Sequence, residues 1–128
     1  MTIERFEDLE IWKLAKELCK LVYEITEKEP FRKDFSLRNQ IRSSSGSVMD
    51  CIAEGFERDG TKEFINFLSI AKGSCGECRS QSYRAFDYKY INQAVLEDMI
   101  ERTTTLSRKI ASFMTYLKGS KMKGTKYK

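Results

Sequence analysis

The chain has 128 residues, a length that suits one domain and allows a hydrophobic core to form without a disulfide or a metal. With 41% hydrophobic residues, 33% charged residues and a single proline, the composition excludes a loop-rich all-β fold and is typical of a soluble helical protein. The net charge of +4 lies entirely in the lysines after residue 120, so the rest of the chain is neutral and is not a basic domain by composition.

The first helix is predicted at about residues 9–28, with Asp8 as its N-cap. One apolar stripe repeats at steps of three and four residues and consists of Ile11, Leu14, Leu18, Leu21 and Ile25. A second stripe beside it consists of Trp12, Ala15, Cys19 and Val22. The apolar face is therefore wide enough for two packing partners. Pro30 ends the segment, because the residue before a proline avoids α geometry.

The second helix is predicted at about residues 36–56. Its buried side consists of Leu37, Ile41, Val48, Ile52 and Phe56. The serine-rich middle, residues 43–47, has poor helix propensity and alone would indicate a loop. Because the apolar phase continues through it, we expect helix there, with small residues that let a neighbouring helix approach closely. Gly55 or Gly60 is expected to end this helix.

The third helix is predicted at about residues 62–88, with Thr61 as its N-cap. Its buried seam consists of Phe64, Leu68, Ala71, Cys75, Cys78, Ser82 and Ala85. The small centre of this seam is expected to face the small middle of the second helix.

The fourth helix is predicted at about residues 92–118, with Asn92 as its N-cap and Gly119 at its end. Its heptad phase runs through Leu96, Met99, Thr103, Leu106, Ile110, Phe113 and Leu117. Because the connections are short, neighbouring helices should be antiparallel, which predicts an all-α, up-down-up-down four-helix bundle over residues 1–118. The lysine-rich segment 119–128 is predicted to be disordered.

Targeting signals are not evident in the sequence. No stretch approaches the roughly 20 apolar residues that cross a bilayer. The polar, acidic start of the chain is unlike a signal peptide. Both features favour a cytoplasmic protein without membrane contact, in which the four cysteines are reduced.

Catalytic and metal-binding patterns are weak. The sequence has no histidine, which excludes Ser-His and Cys-His nucleophile pairs. Cys75 and Cys78 form a CxxC that could serve redox or zinc chemistry, but its place in the middle of a helix favours core packing. Ser69 and Lys72 match SxxK, a spacing that is common by chance. We therefore predict no cofactor, no metal and no catalytic residue.

Two further clusters have alternative interpretations. The acidic cluster of Glu54, Glu57, Asp59 and Glu63 could bind a divalent metal, although caps and salt bridges are favoured. The aromatic cluster of Tyr83, Phe86, Tyr88 and Tyr90 could stack on unpaired bases. A cap on the bundle or a subunit interface is the favoured interpretation of this second cluster.

Basic residues on the second and third helices are candidates for phosphate contacts. Arg38 and Arg42 lie one turn apart, and the third helix adds Lys72, Arg79 and Arg84. A solvated face is the alternative interpretation of these scattered charges. In the C-terminal segment, Lys121 and Lys123 are candidates to assist.

Three segments in order carry a family resemblance. They are Phe6-Glu7-Asp8-Leu9 with Trp12; Gln40-Ile41-Arg42 followed by Ile52-Ala53-Glu54-Gly55-Phe56; and Glu63-Phe64, Phe67-Leu68 and Ile70-Ala71-Lys72-Gly73-Ser74 with Glu77. This order resembles the bacterial four-helix-bundle proteins encoded within intervening sequences of 23S ribosomal RNA genes, often labelled ribosomal-protein-like. It is also similar to the accessory variability proteins of diversity-generating retroelements.

The resemblance implies an antiparallel four-helix bundle assembled as a homopentamer, without known enzymatic activity. For the retroelement proteins it implies binding to nucleic acid and to a reverse transcriptase through a basic surface. We therefore predict a non-catalytic, oligomeric protein associated with RNA or DNA. The alternative is a scaffold that binds a reverse transcriptase, an RNA-processing factor or a ribosome-associated protein. This chain departs from the family pattern at residues 43–45, where serines replace an arginine and alanines.

Overall fold

The computed structural model describes residues 3–119, and these form four α-helices without any strand. The helices are α1 (Glu10–Thr26), α2 (Phe35–Glu57), α3 (Thr61–Asp87) and α4 (Gln93–Lys118). Two short 3-10 turns, Phe6–Asp8 and Phe31–Lys33, precede α1 and α2. The predicted bounds are confirmed to within two residues. The predicted disorder after Gly119 lies outside the described residues.

Contacts between neighbouring helices establish the antiparallel order. Cys19 of α1 donates to the Ser45 carbonyl of α2, and Ser44 of α2 meets Gln81 of α3. The Cys75 thiol of α3 donates to the Thr103 carbonyl of α4. A second contact in each pair gives the direction: Thr26 meets Arg42, Ser74 meets Ser47, and Phe64 meets Phe113. Neighbouring helices are therefore antiparallel, in the up-down-up-down order. None of the described helices is long and apolar enough to span a membrane.

Both predicted stripes of α1 contribute to the core. The fully buried positions are Ile11, Ala15, Leu18, Val22 and Ile25. Leu14 and Leu21 are only partly buried on one side of this line, and Trp12 and Cys19 on the other. The centre of the buried face thus lies between the two stripes, as expected for a helix that packs on α2 and α4.

Two predicted N-caps are wrong. Asp8 closes the first 3-10 turn, where its carboxylate accepts from the Arg5 backbone N–H at 3.3 Å, and Leu9 holds the N-cap position of α1. Gly60, not Thr61, precedes α3. The predicted Asn92 cap is confirmed, because its Oδ1 accepts from the Val95 N–H at 2.9 Å.

The serine-rich part of α2 is helical, as predicted, and packs on the small centre of α3. The Ser44 hydroxyl donates to Gln81 Oε1 at 2.7 Å, and both side chains are buried. One turn further, the hydroxyls of Ser47 and Ser74 lie 3.0 Å apart. Ser44, Ser45 and Ser47 thus each have a hydrogen-bond partner across the seam or on the same helix, which offsets the cost of burying their hydroxyls.

At Gly55, α2 packs on α3 with no room for a side chain. A Cβ built on Gly55 would lie 2.6 Å from the Phe67 Cβ and 2.9 Å from the Phe64 Cδ1. The sequence suggested that Gly55 or Gly60 ends α2. Neither glycine does, because the helix continues past Gly55 and ends at Glu57. Gly46, in the serine-rich middle, has nothing within 4 Å of such a Cβ.

The bundle is more open between α1 and α4 than between its other neighbouring helices. Lys109 reaches Glu10 across it, with 3.3 Å between Nζ and Oε1. Beside this ion pair lies an open cavity of about 450 Å³. Its apolar lining consists of Ile3, Leu9, Ile11, Phe113 and Tyr116.

We expect Gly55→Ala to destabilise the fold by about 1–3 kcal/mol, because the new methyl group overpacks the α2–α3 contact. Gly46→Ala is the matched control in the same helix, and it should stabilise by up to about 1 kcal/mol through helix propensity. Urea unfolding followed by circular dichroism measures both. Equal effects of the two substitutions would contradict the close approach at Gly55.

Candidate nucleic-acid interface

Asp34 fixes the start of α2. Its Oδ1 accepts from the Leu37 N–H at 3.0 Å, which caps the helix. Its Oδ2 accepts from the Tyr90 hydroxyl at 2.8 Å, which ties this end of α2 to the α3–α4 connection. The Tyr90 ring in turn stacks on the buried Phe31 ring, with 4.9 Å between ring centroids. These contacts fix the start of α2, on which the neighbouring basic residues lie.

The hydrogen bonds to Asp34 favour its charged form. The Leu37 N–H and the Tyr90 hydroxyl lower the pKa of this carboxyl, and the charge of Arg84 adds to the effect. The same contact raises the pKa of Tyr90, because the hydroxyl donates to an anion.

Arg42 is held between α1 and α2. Its Nε donates to Thr26 Oγ1 at 2.8 Å, and its Nη2 donates to Glu27 Oε2 at 2.6 Å. The guanidinium also lies over the Tyr23 ring, 4.7 Å from the centroid. Three partners on α1 and its C-terminal cap thus fix this side chain.

Arg38, one turn earlier, has a similar but looser arrangement. Its guanidinium lies 4.8 Å from the centroid of the exposed Phe35 ring. One of its N–H groups donates to the Arg32 carbonyl at 3.2 Å. Arg38 therefore lies next to Arg32 and is half-buried.

Several positive charges surround one carboxylate here. The pKa of Glu27 is lowered mainly by the hydrogen bond from Arg42, and the charges of Arg32 and Arg38 contribute as well. Arg84 lies near Asp34 and donates to Gln40 Oε1 at 3.1 Å. We call this surface the basic end; it consists of Arg32, Lys33, Arg38, Arg42 and Arg84. Its five positive charges outnumber the two negative charges of Glu27 and Asp34, which lie among them.

The structure separates the predicted phosphate-binding residues. Arg38, Arg42 and Arg84 lie at the basic end. Arg79 instead contacts α4, where its Nη1 donates to Thr104 Oγ1 at 3.2 Å, and Lys72 is exposed two turns away on α3. Lys121 and Lys123 lie outside the described residues.

Sequence reasoning missed Arg32 and Lys33, which belong to a 3-10 turn and so follow no helical period. The available signal was local charge: between Glu27 and Arg42 there are five basic and three acidic residues. Tyr23 was missed too, because an exposed aromatic residue on α1 fits neither predicted stripe.

The CxxC belongs to the core. Cys75 and Cys78 are both fully buried on the α3 seam. Burial raises the pKa of Cys75 to about 11 and that of Cys78 to about 12, so neither thiol ionises readily. Among residues 3–119, no group of three or more cysteine or carboxylate side chains could hold a metal ion.

The acidic and aromatic clusters have structural contacts. Glu54 pairs with Arg58 one turn on, with 2.9 Å between Oε2 and Nη2. Tyr90 packs on Phe31 and on the exposed Tyr88, as expected for a cap on this end of the bundle.

Comparison with known proteins supports the fold and the resemblance to the proteins of 23S ribosomal RNA intervening sequences. The model of the 23S rRNA-intervening sequence protein family matches residues 7–112. A solved structure of a protein with unknown function from the S23 ribosomal protein family of Bacteroides thetaiotaomicron VPI-5482 is similar, with a TM-score of 0.74 and 21% identity. The match covers 81% of this chain and 97% of that chain, and at this identity it shows the fold alone. No curated protein sequence matches.

We expect Asp34→Ala to cost about 1–2 kcal/mol at neutral pH, since it removes the α2 cap and the acceptor of Tyr90. Asp34→Asn keeps a capping oxygen but loses the charge. Because the folded pKa of Asp34 is lowered, its charge stabilises the fold above about pH 4, and this contribution is lost as the pH falls through the folded pKa.

The measurement is urea unfolding of the parent protein and of Asp34→Asn, from neutral pH to below about pH 4. The difference between their free energies of unfolding should shrink as the pH falls. A difference that is the same at neutral and acid pH would contradict the role of the carboxylate.

Proposed function

The chain belongs to the 23S rRNA-intervening sequence protein family, and we propose that it is a non-catalytic, oligomeric protein that associates with RNA or DNA through its basic end. The observation that carries the proposal is that Arg32, Arg38 and Arg42 lie together near Glu27: Arg38 donates to the Arg32 carbonyl, and Arg42 donates to the Glu27 carboxylate. Because residues 1–120 are neutral as a whole, this surface is a local excess of positive charge. A local excess of guanidinium groups, held on α2 and the turn before it, is the arrangement that phosphate contacts need.

The non-catalytic part of the proposal is supported by the side chains available. Histidine is absent from the sequence, and the buried thiols of Cys75 and Cys78 have raised pKa values that make them poor nucleophiles. The two carboxylates near the basic end have structural roles: Asp34 caps α2, and Glu27 accepts a hydrogen bond from Arg42.

Oligomerisation is part of the proposal because one copy of the basic end has a small charge excess. In the homopentamer that the family resemblance implies, five copies and five lysine-rich segments would act together on one polyanion. Binding by the assembly would then be much tighter than binding by one subunit.

A protein scaffold is the second candidate function, with a reverse transcriptase or an RNA-processing factor as partner. The open apolar cavity beside the Lys109–Glu10 pair favours it, because exposed apolar surface is typical of protein interfaces. Recovery of the same protein partners after nuclease treatment would support this candidate over the first.

We expect the protein to bind structured RNA with an affinity that falls steeply with salt, because phosphate contacts release counterions. If the assembly makes about six to ten such contacts, affinity should fall roughly 1,000-fold or more between about 50 and 200 mM salt. Fluorescence anisotropy with labelled RNA measures binding, and light scattering on the same sample gives the subunit number. A monomer, or binding indifferent to salt, would contradict the proposal.

The basic end is tested by two variants that remove the same charge. Arg32→Gln with Arg38→Gln should weaken RNA binding at least tenfold and flatten the salt dependence. Lys72→Gln with Arg108→Gln, at exposed positions of α3 and α4, is the control and should change binding little. Equal losses in the two variants would place the contacts elsewhere.

A further inference from the structure

Tyr23 presents an aromatic ring to solvent with a fixed cation on one side. The residue is 57% exposed, although the Arg42 guanidinium lies 4.7 Å from the centroid of its ring. Hydrogen bonds to Thr26 and Glu27 hold that guanidinium in place. The ring is therefore oriented before any ligand arrives, which lowers the entropy cost of stacking on it.

A groove between α1 and α2 lies directly beside this ring. Its cavity of about 360 Å³ falls within the size range of small-ligand sites. Tyr23 and the partly buried Cys19 and Met49 give it apolar walls. Lys16, Lys20 and Glu24 lie at the same groove, and the Lys20 Nζ is 3.9 Å from the Glu17 Oε1 on the exposed face of α1. An apolar slot with two ammonium groups suits an apolar, planar group attached to a polyanion.

The ring-and-guanidinium pair occurs twice along this side of α2. Arg38 and Phe35 repeat the arrangement of Arg42 and Tyr23, and Phe35 is 63% exposed. Because Arg38 and Arg42 are four residues apart on α2, the two arginines lie about one helical turn apart. The repeat favours an extended ligand with successive planar groups over a single small molecule.

We propose that the Tyr23 groove binds an unpaired nucleobase of a single-stranded RNA segment, with Lys16 and Lys20 at the neighbouring phosphates. Aromatic rings in a basic groove are the general means of holding unpaired bases, since every base has a face to stack. A duplex hides those faces, so the groove selects single strands. This inference rests on the proposed function, because it assigns a preference to the same RNA-binding surface.

The test compares one short RNA oligonucleotide as a single strand and in a blunt duplex, by fluorescence anisotropy at low salt. The single strand should bind more tightly. Tyr23→Leu should weaken its binding about tenfold, the loss expected for one stacked base, with the salt dependence unchanged. Tyr23→Phe keeps the ring and should bind as the parent protein does. Duplex binding should not respond to either substitution.

A crosslink provides a readout that does not depend on the variants folding alike. A single strand carrying 4-thiouridine should crosslink on irradiation to the peptide that contains Tyr23, as identified by mass spectrometry. Loss of binding in Arg32→Gln with Arg38→Gln but not in Tyr23→Leu would overturn the nucleobase site and leave the proposed function standing. Equal affinity for strand and duplex would also overturn it. If neither form binds although the structured RNA does, the nucleobase site is overturned; if no RNA or DNA binds the parent protein, the proposed function itself fails.

Discussion

The contact between α2 and α3 sets the geometry on which the remaining elements depend. At Gly55 the two helices come so close that no side chain fits between them, and along the seam Ser44 bonds to Gln81 and Ser47 to Ser74. Hydrogen bonds between specific partners fix the register of two helices in a way that apolar packing alone does not. Because α1 packs on α2 and α4 on α3, this register also determines where the outer helices lie.

The same register places the basic end. Asp34 starts α2 and accepts from Tyr90 beyond the end of α3, so a shift of one helix against the other would break this hydrogen bond. Arg42, four residues after Arg38, then reaches α1 at Thr26 and Glu27. Most of the charge of the candidate surface comes from one segment, residues 27–42, where basic residues outnumber acidic ones, and packing adds Arg84 of α3.

Periodicity was sufficient to predict the four helices, because each has an apolar face that repeats at three and four residues. It could not distinguish Gly46 from Gly55, since only the crossing point of two helices decides which glycine is needed. Of the basic residues named from the sequence, Arg38, Arg42 and Arg84 lie at the basic end, while Arg79 contacts α4. Arg32 and Tyr23 were missed, because a 3-10 turn and a single exposed ring leave no periodic signal.

The burial of Cys75 and Cys78 has a consequence for the chemical ageing of the protein. Oxidants and alkylating agents react with thiolates, and these two thiols are shielded both from solvent and from ionisation. Their modification would require the core around α3 to open first. The rate at which a thiol reagent modifies these two cysteines therefore measures how often the bundle opens locally.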